Sequence, residues 1–159
     1  MATKDEGLLW LVYQKCTFRK LPNYEDYNSY LKSILICANG DGTLAPEERD
    51  WVVGHASAHG APDSLVEELK SYKADEDIEK MISNTPAANA SRLFLVYDAI
   101  MACSADGEYS DPERATITKM AAKLGISQDT VEQIEKICLE EIEQREKRLK
   151  LMYPEGAPI

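Results

Sequence analysis

The sequence has no stretch of about 20 uncharged apolar residues, so it offers no segment able to span a bilayer. It also lacks the alternation of β-branched and polar residues that marks strands, which removes the sheet-based fold classes. Histidine is scarce: only His55 and His59 occur, and no nucleophile, base and orienting acid can be assembled around them. No glycine-rich phosphate loop is present. The four cysteines, Cys16, Cys37, Cys103 and Cys138, are far apart and form no CxxC pair, so a disulfide scaffold is not indicated. Positive charge is in short supply. Lys and Arg total 18 against 28 Asp and Glu, a net charge of -10 in 159 residues. That balance repels phosphate backbones, excludes nucleic acid as an expected partner and attracts cations. The first residues, Met1 to Glu6, carry acids where a secretory leader wants bases, and the apolar run after them, Gly7 to Tyr13, is short. The expectation is a cytoplasmic protein whose link to any membrane runs through a partner, without direct insertion.

What is present is helical periodicity. Tyr27, Tyr30, Leu31, Ile34 and Leu35 recur at three- and four-residue spacing before the loop Asn39-Gly40-Asp41-Gly42. Pro46 to Ala58 predicts a helix with proline in its first turn. Ser64 to Tyr72 predicts another, with Ser64 and Glu67 as a capping box, and Asp75 to Ser83 a short one. Ala87 to Ala102 reads as one long apolar helix. Ser110 and Glu113 form a second capping box, opening a helix to Leu124. The last helix begins near Asp129 and reaches Leu151, with its acids early and its bases late, as the helix dipole favours. The segment Asp5 to Lys20 is also read as helical. The fold class is therefore all-α, with about seven or eight helices in one bundle-like domain.

A shift of 65 residues brings the chain onto itself. Asp41-Gly42 falls on Asp106-Gly107, Glu48-Arg49 on Glu113-Arg114, Ala56 on Ala121, Gly60 on Gly125 and Val66-Glu67 on Val131-Glu132. These are eight identities in the 29 positions from Asp41 to Leu69, several times the yield of a chance alignment. Each unit reads as helix, acidic loop, helix, glycine turn, helix, and two such units bury together what neither buries alone. The expected organisation is an N-terminal helical extension over 1–23, a domain over 24–153 made of repeats at about 24–85 and 86–150, and a tail over 154–159.

The segment Ala105-Asp106-Gly107-Glu108-Tyr109-Ser110-Asp111-Pro112-Glu113, followed by Leu124-Gly125-Ile126, resembles the TerB-like family of tellurite-resistance proteins and their relatives. Asp41 to Glu48, with His59-Gly60-Ala61, is a second copy, departing in having Gly40 where the other has Ala105. The resemblance covers roughly residues 24 to 150, and its specificity lies in the duplication and spacing. It implies an all-α fold of duplicated units, a link to stress responses at the cytoplasmic face of the membrane, and no firm catalytic activity. It also implies a divalent-metal site, which by position falls on Asp41, Glu48, Asp106 and Glu113.

The residues themselves leave alternatives open at each candidate site. An Asp in a glycine-containing loop, with a Glu seven positions on, offers two oxygen ligands to Ca²⁺, Mg²⁺ or Mn²⁺, and both loops together offer four. The same acids serve equally as turn formers and first-turn caps. The first loop fits an EF-hand only in part, because Cys37 and Ala102 stand at the first ligand position of the two loops. His55 and His59 share one helical face, as in many Zn²⁺ sites, yet the repeat pairs them with Met120 and Leu124, which read as core. Cys37 and Cys103 precede the loops and are soft ligands, redox-responsive thiols or inert buried thiols. Tyr13, Tyr24, Tyr27 and Tyr30 read as core packing ahead of a partner surface. The expected function is a non-catalytic binding module of a stress or tellurite-resistance type, holding a divalent ion in its loops and meeting a protein partner, a membrane-associated one among the candidates. Two rivals stand beside it, a metal-dependent enzyme with a carboxylate or histidine centre and a metal-free interaction scaffold.

Overall fold

A computed structural model describes residues 3–159. Nine α-helices and one 3-10 turn make up the regular structure of these residues. The first, α1 (Lys4–Cys16), starts where the Thr3 hydroxyl accepts the Glu6 N–H and the Glu6 carboxylate accepts the Thr3 N–H. It ends at Thr17 in the left-handed region, φ 58°. Next, α2 (Tyr24–Ala38) is capped by Asn23 and buries Tyr30, Leu31 and every residue from Ser33 to Ala38. After the first acidic loop come α3 (Pro46–Ala58) and α4 (Asp63–Ser71), then the short α5 (Ile78–Ile82) and α6 (Pro86–Asn89). The apolar α7 (Arg92–Cys103) leads through the 3-10 turn Ser104–Asp106 into α8 (Asp111–Lys123) and α9 (Gln128–Met152).

The core is the α2–α7 pair, whose Ile34, Leu35, Leu95, Val96, Ala99 and Ile100 are fully buried. Helices so apolar must be enclosed on most sides, and α3, α5, α6, α8 and α9 do so. The matched segments take the same order of elements, α2-loop-α3-turn-α4 and α7-turn-α8-turn-α9. Their glycine pairs adopt the same left-handed backbone, φ 84° and 95° at Gly42 and Gly107, 82° and 75° at Gly60 and Gly125.

Three sequence expectations are corrected. The helix expected from Ala87 to Ala102 is broken into α6 and α7, because Thr85 caps a first short helix opened by Pro86 and the Ser91 hydroxyl turns back to the Ala87 carbonyl. The capping box expected at Ser64 does not form. The Pro62 carbonyl accepts the Leu65 and Val66 N–H groups, so α4 starts at Asp63 and Ser64 lies inside its first turn. The α1 helix stops at Cys16, short of Lys20. Beyond Glu143, α9 projects from the body with every residue exposed. No described helix is long and apolar enough to cross a membrane.

Candidate functional site

The two acidic loops are packed across the molecule, the first against α8 and the second against α3. A side chain at Gly40 would collide with Met120 and Thr116 of α8, 2.7 and 2.9 Å away, so the first loop lies directly on α8. The 3-10 turn of the second loop packs on α3. The departure from the repeat at Gly40 is thus a demand of close approach.

Within each loop the aspartate does local work. Asp41 Oδ1 accepts the Thr43 N–H at 2.8 Å, and Asp106 Oδ1 accepts the Glu108 N–H at 2.9 Å. Both residues are exposed. The glutamates reach back to their helix starts. Glu48 Oε2 accepts the Ala45 N–H at 2.8 Å, and Glu113 Oε2 accepts the Ser110 N–H at 2.6 Å and its hydroxyl at 2.8 Å. One oxygen of each carboxylate is committed in this way. Glu48 has the Cys103 thiol beside it as a further hydrogen-bond donor.

Glu48 is the buried member of the set, 5% exposed. Burial pushes its carboxyl above the usual carboxylate range; the Ala45 N–H and the Cys103 thiol beside it pull it back, and the negative charges of Glu113 and Asp41 push it up again. Glu48 thus feels the charge of one acid from each loop, Asp41 and Glu113. No group of three or more His, Cys, Asp or Glu side chains among the described residues is gathered closely enough to hold an ion as it stands. All four cysteines are free, and Cys37 and Cys103 are buried. Burial pushes the Cys37 thiol up to about 12 and raises that of Cys103 as well, which leaves both unreactive at neutral pH.

The histidine pair sits on α3, at a distance from this chemistry. The rings of His55 and His59 lie 4.2 Å apart with a 32° tilt, and Trp51 stacks on His55 at 5.0 Å. His59 Nδ1 lies 2.8 Å from the His55 carbonyl. Burial, with the positive charges of Lys15 and His59 nearby, pushes the His55 imidazole down to about 3, so it is neutral at pH 7. Glu48 turns back to the start of α3 and does not join the pair.

A buried polar cluster beside these histidines was not foreseen from the sequence. Asp98 of α7 is 2% exposed. Its Oδ2 accepts the Tyr30 hydroxyl at 2.6 Å, and its Oδ1 lies 3.3 Å from the Lys15 ammonium. Burial raises its carboxyl, while the Lys15 charge and the Tyr30 hydrogen bond favour the ionised form. The available signal was a lone charge in the otherwise apolar run Leu93 to Cys103. Tyr30 is buried as expected, Tyr24 and Tyr27 pack half-buried against the core, and Tyr13 is exposed.

Over 100% of both chains, the protein is 38% identical to a tellurite resistance protein from Nostoc punctiforme, whose crystal structure it matches with a TM-score of 0.94. The chain belongs to the TerB-like tellurite-resistance family. No protein-family model matches it, and no curated protein does. Membership of this family accords with the all-α fold and with the resemblance carried by the acidic loops.

Proposed function

We propose that the protein serves tellurite resistance as a non-catalytic binding module, and that its two acidic loops take a divalent cation between them. The observation that carries this reading is the crossed packing of the loops, with Glu48 buried beside the charges of Glu113 and Asp41. Hard cations take carboxylate oxygens, and a carboxylate that ligates through one oxygen is commonly steadied by a hydrogen bond to the other. Asp41, Glu48, Asp106 and Glu113 each have that arrangement in prospect, with one oxygen fixed by a backbone N–H. A bound ion supplies positive charge at a place where like charges face one another. The exposed aspartates swing inward toward the glutamates, and the two units become fastened through their loops. The exposed apolar residues Trp10 and Tyr13 of α1, and Leu151 and Met152 of α9, are the surfaces such a module offers to a protein partner.

The test is thermal unfolding of chelator-stripped protein with Ca²⁺, Mg²⁺, Mn²⁺ or Zn²⁺ added. Binding to the folded state alone stabilises by about 2.7 kcal/mol at a hundred times Kd. The reading expects a rise in Tm with at least one hard cation, abolished in the Asp41→Ala, Asp106→Ala double variant. A second reading, the metal-free scaffold, is favoured by the local hydrogen bond that each of the four acids already makes. It expects no shift with any ion, and a lower Tm in the double variant irrespective of ions.

A further inference from the structure

A partly open cavity of about 80 Å³ lies between α1, α2, α3 and α7. Much of its wall is aromatic, including Phe18, Tyr24, Tyr27, Tyr30, His59 and Phe94, and Asp98 contributes the anionic group. The Lys15 ammonium already sits as a bound organic cation would. It is 3.3 Å from Asp98 Oδ1, 5.5 Å from the Phe94 ring centre and 5.9 Å from that of Tyr97. These are distances at which an aromatic face attracts a cation.

We propose that this cavity is a binding site for a primary organic amine with a small apolar body, and that Lys15 is its built-in occupant, displaced when the amine binds. The site is separate from the acidic loops and stands or falls independently of them. Three observations support exchange at this position. Asp98 is 2% exposed and is held ionised by a positive partner, whereas the Lys15 side chain is 28% exposed and can turn into water. Lys15 itself lines the cavity, so its departure enlarges the space left for an alkyl or aryl group. Tyr24, another wall residue, has a buried hydroxyl with no hydrogen-bond partner among the described residues, and its oxygen can accept from an ammonium. The helix that roofs the cavity is fastened along a narrow line, by Leu8 against Gly60 and by the buried Val12. An anion is opposed by Asp98, and a neutral apolar molecule leaves the Lys15–Asp98 pair undisturbed.

The test is an NMR titration of the full chain with benzylammonium and with its neutral analogue benzyl alcohol. In Lys15→Gln, where the internal competitor is gone, benzylammonium should bind at least tenfold more tightly than to the native chain and tenfold more tightly than the alcohol. Amide shifts should centre on Tyr27, Phe94 and Asp98. Adding Asp98→Asn should reduce the amine to the affinity of the alcohol. The proposal is overturned if Lys15→Gln gains no affinity for the amine, or if amine and alcohol bind it equally. The second comparison is made within Lys15→Gln alone, so it holds even where Asp98→Asn fails to fold.

Discussion

The matched segments bury equivalent positions with different chemistry. Where α7, α8 and its C-cap place Leu95, Met120 and Leu124 in the core, α2 buries Tyr30 while His55 of α3 and its C-cap His59 are half-buried. The Asp98 carboxylate, which stands at the position of Ser33, crosses from α7 to meet Tyr30. Apolar side chains at these positions stabilise by burial alone. Polar ones must find partners and cost stability where they do not. The difference teaches that one segment supplies the firm half of the core and the other a partly polar face, and that the aromatic-walled cavity beneath α1 opens beside the polar face.

Substitutions can break or sharpen that contrast. Leu95→Ala should cost about 3 kcal/mol in urea unfolding, as fully buried leucines do, whereas Tyr30→Phe keeps the ring and should cost about 1 kcal/mol. Equal costs would erase the distinction between the halves. Asp98→Ala should cost about 2 kcal/mol because it strands the buried Tyr30 hydroxyl, while Ser33→Ala, which removes a bond only to the Ser29 carbonyl of its own helix, should cost under about 1 kcal/mol. The same denaturation experiment reads both.

The third contrast is in pH dependence. The His55 imidazole is held down to about 3 in the folded chain, below its ordinary value of 6.5, so between these values the unfolded chain binds a proton that the folded chain refuses. Stability from this residue is complete above the ordinary value and falls as pH drops, by up to about 1.4 kcal/mol per unit. The raised carboxyls of Asp98 and Glu48 act with the opposite sign, since they favour folding as pH falls toward the carboxylate range. His55→Met, which copies Met120, should therefore gain stability relative to the native chain between pH 6 and pH 4, measured by unfolding both proteins across that range. The smallest contrast lies in the loops. Glu48→Gln keeps the acceptor for Ala45 and removes a buried charge, so it should be neutral or stabilising by under about 1 kcal/mol at pH 7. Glu113→Gln loses charge at a less buried first turn and should cost a few tenths, about 0.3 to 1 kcal/mol. Thermal unfolding of the pair resolves the sign.

Local signals made much of the fold legible. The capping box at Ser110, the proline opening α3 and the apolar stripes of α2 and α7 are set by residues within a few positions of one another, and each element stands where those residues place it. The break at Ser91 was less legible, because side-chain returns to the backbone competed with an apolar pattern that runs through it. The acidic loops were legible as residues, but their crossed packing depends on contacts between Gly40 and α8, far along the chain. The Asp98 cluster was the least legible. Its partners lie 68 and 83 positions away, and periodicity carries no information about such pairs.

Paramagnetic broadening of amide signals by substoichiometric Mn²⁺ tests the central claim most directly. Amides of residues 41–45 and 106–110 should broaden together, and both effects should vanish in the Asp41→Ala, Asp106→Ala variant. Broadening confined to one loop, centred on His55 and His59, or spread evenly over the acidic surface would contradict a cation held between the two units.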